Sequence, residues 1–121
     1  MEIIERRIKE RDKIINDTKK YALSLKFKCS AILIGSYSRG DFNLWSDVDI
    51  LIVGNFLGNP VERLKNIDFP PGYEVIPLNM DELNKKIAKN DKFIIDSFRD
   101  GVVLRDDFNI KSIISKITGL K

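Results

Sequence analysis

Residues 30–54 read Ser-Ala-Ile-Leu-Ile-Gly-Ser-Tyr-Ser-Arg-Gly-Asp-Phe-Asn-Leu-Trp-Ser-Asp-Val-Asp-Ile-Leu-Ile-Val-Gly. The run Ser30–Gly35 is apolar, β-branched and stopped by a glycine, as a short buried strand is. A polar, turn-rich stretch follows over 36–46, with room for one helical turn before Gly40. Asp47-Val48-Asp49 then opens a second strand over 47–54, apolar at every later position, as a strand buried on both faces is. Side chains alternate along a strand, so Asp47 and Asp49 point the same way. Two carboxylates so placed repel each other unless a cation or an arginine offsets them.

Outward from this core, residues 2–27 read as a charged amphipathic helix. Its stripe is Ile4, Ile8, Ile15, Ala22 and Leu25, interrupted at Arg11 and Thr18. Asn59-Pro60 opens a short helix to about 67, and Pro70-Pro71-Gly72 makes a turn. Tyr73–Leu78 is a third strand, with Pro77 pointing to a sheet edge. Two helices follow over about 81–90, capped by Asn79 or Asp81, and 91–100, ended by Gly101. Val102–Leu104 is a fourth strand. A last helix is capped by Asp106 or Asp107 and carries Ile110, Ile113, Ile114 and Ile117. The order α β (α) β α β α α β α gives a single α/β (α+β) domain over 1–121, with a mixed sheet of about four strands flanked by helices. Its motif-bearing core is 30–80.

Composition narrows the chemistry. The 121 residues include no histidine and one cysteine, Cys29. This removes Ser-His-Asp hydrolysis, Cys-His proteolysis, His-ligated metal sites and disulfides. Cys29 itself reads as a small core residue. The net charge of +3 is mild and reads mainly as solvated surface. No apolar run approaches the ~18 residues of a membrane span, and the charged N-terminus lacks a signal-peptide core, so the expected compartment is the cytoplasm.

Carboxylates, hydroxyls and arginine remain. Gly35 lets a phosphate approach the backbone, the Ser36 hydroxyl and the amides of the following turn favour an anion, and Arg39 offers a planar fork to the same phosphates. Mg²⁺ suits Asp47 and Asp49, because it takes carboxylate and substrate phosphate oxygens together. Glu74 is a charged residue inside an apolar strand and is the candidate third carboxylate; a solvated edge position is its other reading. Asp68 and Asp100 sit beside turns, where aspartate is ordinary. Trp45 reads as partly buried packing, with stacking on a base as the other reading.

Gly35-Ser36, ten residues, then Asp47-Val48-Asp49 resembles the Gly-Ser-x-Asp-x-Asp signature of the polymerase-β-like nucleotidyltransferase superfamily. Gly35–Gly40 followed by Ser46–Val53 resembles its minimal nucleotidyltransferase (MNT) members. The likeness covers roughly residues 30–80. It implies a nucleoside triphosphate, ATP, held by Gly35 and Ser36, and two Mg²⁺ ions on Asp47 and Asp49. The family's third carboxylate is most often Asp, and here only Glu74 fits. Many minimal members are antitoxins encoded beside an all-helical HEPN toxin, and some transfer AMP to a toxin tyrosine. Relatives that copy or tail nucleic acid carry further domains to hold it. A chain of this length has room only for the catalytic core, so direct nucleic-acid binding is not required. The acceptor is then held by a partner or a second copy, or is the partner itself, with the N-terminal helix as a docking surface. The competing expectations are an MNT-fold subunit that neutralises a partner by binding alone, and a transferase acting on a small molecule.

Overall fold

A computed structural model describes residues 2–43 and 45–119; Met1, Leu44, Leu120 and Lys121, which the single-domain reading of 1–121 includes, lie outside the described residues. The elements are α1 (Glu2–Ser24), β1 (Cys29–Ile34), α2 (Gly35–Arg39), β2 (Val48–Gly54), α3 (Pro60–Leu64), β3 (Tyr73–Leu78), α4 (Met80–Ala88), α5 (Lys92–Asp100), β4 (Val102–Asp106) and α6 (Ile110–Thr118). The order is the one the sequence predicts. The four strands form one mixed sheet in the order β3-β2-β1-β4. β1 runs antiparallel to β2 and β4, and β2 runs parallel to β3.

All six residues of β1 are buried, and β2 is buried beyond Asp49, because helices cover both sheet faces. On one face Ala31, Leu33, Ile50 and Ile52 pack with Ile14, Ile15 and Ala22 of α1. On the other, Ile32, Ile34, Leu51 and Val53 pack with Leu83 of α4, Ile94 and Phe98 of α5, and Ile110 of α6. Pro77 does lie on an edge strand. The Arg63 guanidinium donates to the Pro77 carbonyl at 3.2 Å, which occupies one carbonyl of that edge.

The helix starts follow the expected chemistry. Asn59 caps α3, and Asn79 caps α4 in a full capping box with Glu82. Asp106 takes the amides of Ile110 and Lys111 at 2.6 and 3.1 Å, so it serves the start of α6 from four residues upstream. Asp107 is spent instead on the Cys29 amide of β1. Gly101 ends α5 with φ −75° rather than in the left-handed region. Glycine stands there because a Cβ would overlap the Ser97 carbonyl and the Ile32 side chain, so the α5–β4 junction sits tight on β1.

The N-terminal helix departs from its predicted stripe. Ile4 and Ile8 are exposed, while Arg11 and Thr18, the apparent interruptions, face inward. Arg11 donates to the carbonyls of Tyr37 and Ser38 at 2.9 and 2.8 Å, and the Thr18 hydroxyl meets the Tyr73 hydroxyl at 2.9 Å. α1 also stops at Ser24 rather than 27. Arg105 of β4 takes the carbonyls of Ala22, Leu25 and Phe27, which ends the ladder there.

Candidate active site

The site is built by strand register. Ile34, the last residue of β1, lies opposite Asp49, so Gly35 turns into α2 directly beside that carboxylate. Asp49 lies opposite Glu74 in the parallel pairing of β2 with β3. Residues i and i+2 share a sheet face, so Asp49 follows Leu51 and Glu74 follows Ile76 onto the side covered by α4, α5 and α6. The Val48 amide donates to the Gly72 carbonyl at 2.9 Å, which fixes the Pro-Pro-Gly turn and starts β3 level with β2.

Gly35 is required twice over. Its φ is +76°, a region open to glycine, and a Cβ there would collide with the Asp49 carboxylate oxygen. Asp49 thus lies flat against the Gly35 backbone. The five-residue helix α2 is held from behind by Arg11 on its Tyr37 and Ser38 carbonyls, and Ser38 Oγ donates to the Gly35 carbonyl at 2.8 Å.

These residues open onto a cavity of about 320 Å³. One wall is Gly35, Ser38 and Arg39 of α2, and the floor is Asp49, Glu74, Ile34 and Ile76. The opposite wall is α5, which presents Phe93, Asp96, Ser97 and Asp100. Their spacing of three, four and seven is one face of a helix. Asp47 is exposed, one residue ahead of β2, and with the half-buried Ser36 it is not on the cavity wall. Arg39 Nε is paired with Asp41 at 3.0 Å while the side chain lines the cavity.

The electrostatics single out Asp49. Its pKa is pushed up to about 6, first by burial, then by the charge and contact of Glu74 and by Asp47, with Arg39 pulling the other way. Among the described residues no three acidic, cysteine or histidine side chains converge as a ready-made metal cage. A preformed pair is nonetheless the donor set that Mg²⁺ takes, since this hard ion binds one or two carboxylates and completes its shell with water and substrate phosphates. The all-oxygen chemistry of Asp49 and Glu74, with Asp47 close enough to act on Asp49 electrostatically, fits such an ion.

Several sequence expectations shift. Trp45 is 87% exposed and does not pack into the domain. Asp100, set aside as a turn residue, lines the cavity, as do Phe93, Asp96 and Ser97. Their helical spacing was the only available signal, and nothing in it says which way α5 faces. Cys29 is buried in the core, and burial pushes its thiol up, as expected of an inert side chain.

The family model of the nucleotidyltransferase domain matches residues 11–119. The chain belongs to this family. The match begins at Arg11, the residue that braces α2, and so takes in the whole of the carboxylate-bearing core. A solved structure from Sulfolobus solfataricus, described as a candidate nucleotidyltransferase, aligns with a TM-score of 0.51 at 23% identity over 83% of each chain. That likeness shows a shared fold for this nucleotidyltransferase domain. No curated protein matches it. No helix among the described residues is long and apolar enough to cross a membrane.

Proposed function

We propose that this domain carries out Mg²⁺-dependent transfer of AMP from ATP to a protein hydroxyl, a tyrosine of a HEPN-type toxin partner, and so serves as its antitoxin. The observation that carries the transfer chemistry is the Asp49–Glu74 pair, in register across β2 and β3, with Asp49 pressed against Gly35. Asp47, Asp49 and Glu74 are the residues that would hold divalent cations. Bound there, such cations supply charge for an attacking oxygen and for a departing pyrophosphate.

The chain's own groups divide the remaining work. Gly35 and Ser36 hold the triphosphate, as the Gly-Ser motif implies, and Arg39 reaches it from α2 when it exchanges Asp41 for phosphate oxygens. The acceptor oxygen bonds to the α-phosphorus as the bond to the β-phosphate bridging oxygen breaks and pyrophosphate leaves. The acceptor's proton passes to a carboxylate, Glu74, which stands on the exposed edge strand where an acceptor can approach. The cavity lies between α2, the sheet and α5, and the acceptor hydroxyl is presented there by a partner or by a second copy.

The test is incubation of the chain and its HEPN-type partner with ATP labelled at the α-phosphate. Label passes to the partner with wild type and not with Asp49→Asn. Absence of label with both overturns the reading. Neutralisation of the partner by Asp49→Asn as complete as by wild type replaces it with neutralisation by binding alone.

A further inference from the structure

We propose that the α5 wall of the cavity is the nucleobase subsite, with Phe93 as the surface on which the base stacks. The proposal rests on the nucleotidyl-transfer reading of the same cavity and assigns the end of it that the motif residues leave unused.

The two walls differ in chemistry. The α2 wall brings Gly35 and the cationic Arg39; the α5 wall brings Phe93 and the carboxylates Asp96 and Asp100. Lys92 and Arg99 pair with Asp96 at 2.7 and 2.9 Å, and Arg99 also pairs with Asp100 at 3.4 Å. A triphosphate is drawn to the cationic lining residue Arg39 beside the Gly35 turn, both on α2, and α5 adds no cation to the lining. Its phosphates therefore lie along α2, and its nucleoside falls on the α5 side.

Phe93 suits that occupant. It lines the cavity yet is 47% exposed, while Ile94 and Phe98 on the neighbouring face of α5 fill the core. An aromatic ring left half in water at the mouth of a polar site, above the apolar floor of Ile34 and Ile76, is a platform for a flat ring. Stacking is tolerant of base identity, because every base has a π-face, so purines are favoured over pyrimidines only by ring area.

Calorimetric titration of the full chain with Mg·ATP and with Mg·tripolyphosphate tests this, since tripolyphosphate has the charge without the base. Wild type binds ATP more tightly than tripolyphosphate. Phe93→Ala weakens ATP about tenfold, the scale of one base stacked on an aromatic ring, and leaves tripolyphosphate unchanged. Phe93→Tyr restores ATP binding, and Trp45→Ala, which alters an exposed ring off the cavity wall, matches wild type. Equal ATP binding by Phe93→Ala and wild type overturns the base subsite while leaving the transfer reading intact, as does a loss confined to Trp45→Ala. Failure of wild type to bind either ligand overturns the transfer reading itself.

Discussion

Carboxylates at the two ends of this sheet meet opposite company. At the start of β2 and β3, Asp49 faces Glu74 with Asp47 nearby, and its pKa rises to about 6. Beyond the other end of β3, Glu82 faces Arg63, and at the end of β4 Asp107 faces Arg105. Arg63 and the Asn79 amide hold Glu82 below the usual range; the Cys29 amide and Arg105 do the same for Asp107. The paired carboxylates tie elements together. The Asp49–Glu74 pair instead brings two carboxylates together across β2 and β3 with Asp49 pushed up, the arrangement expected of the proposed cation site.

The sharpest break in that comparison is Asp49→Asn. It keeps the shape and removes the charge, and transfer activity falls by about 10³-fold or more, read as label transferred from ATP. Gly35→Ala comes next. Its Cβ needs the space of the Asp49 carboxylate and a φ that alanine disfavours. Displacing the carboxylate by about 1 Å costs roughly 100-fold in the same assay. At the paired end the order reverses. Glu82→Ala leaves the Arg63 guanidinium buried without its partner and removes half of the α4 capping box. Chemical unfolding then shows a loss of about 2 kcal/mol, with the remaining folded protein as active as wild type.

The smallest effect has the most informative sign. A carboxyl whose pKa is raised on folding stabilises the fold at low pH, and that contribution is lost as pH climbs from about 4 to the folded value of about 6. Metal-free wild type at pH 7.5 therefore carries the penalty in full, and Asn at 49 relieves it. Discounted for the partial exposure of Asp49, the gain is about 1 kcal/mol, or a few degrees in Tm, at pH 7.5. It vanishes near pH 4. A mutation that abolishes activity and raises stability, with this pH dependence, belongs to the unpaired end alone.

What the sequence makes legible follows from period and range. β1 and β2 are visible because burial on both faces leaves an uninterrupted apolar run. Asp49 and Glu74 are visible because each breaks such a run at its start. Asn59, Asn79 and Asp106 are visible because capping acts within four residues. Arg11 and Thr18 are not, since their partners lie 26 to 55 residues away and a polar side chain in a helix stripe looks like a defect until those partners are known. The α5 face is hidden for a related reason. Phe93, Asp96, Ser97 and Asp100 share a helical spacing without sharing a polarity, and although Ile94 and Phe98 mark the buried face of α5, which cavity the neighbouring face lines depends on α2, β2 and β3, far away in the sequence.

The proposed role of the facing Asp49 and Glu74 is to hold a divalent cation. Binding of Mn²⁺, a spectroscopic substitute for Mg²⁺, tests it most directly, followed by electron paramagnetic resonance at pH 7.5 with and without a non-hydrolysable ATP analogue. Wild type is expected to bind Mn²⁺, more tightly with the analogue, with a weaker signal in Glu74→Gln and loss in Asp49→Asn. Mn²⁺ binding by Asp49→Asn equal to that of wild type would contradict it.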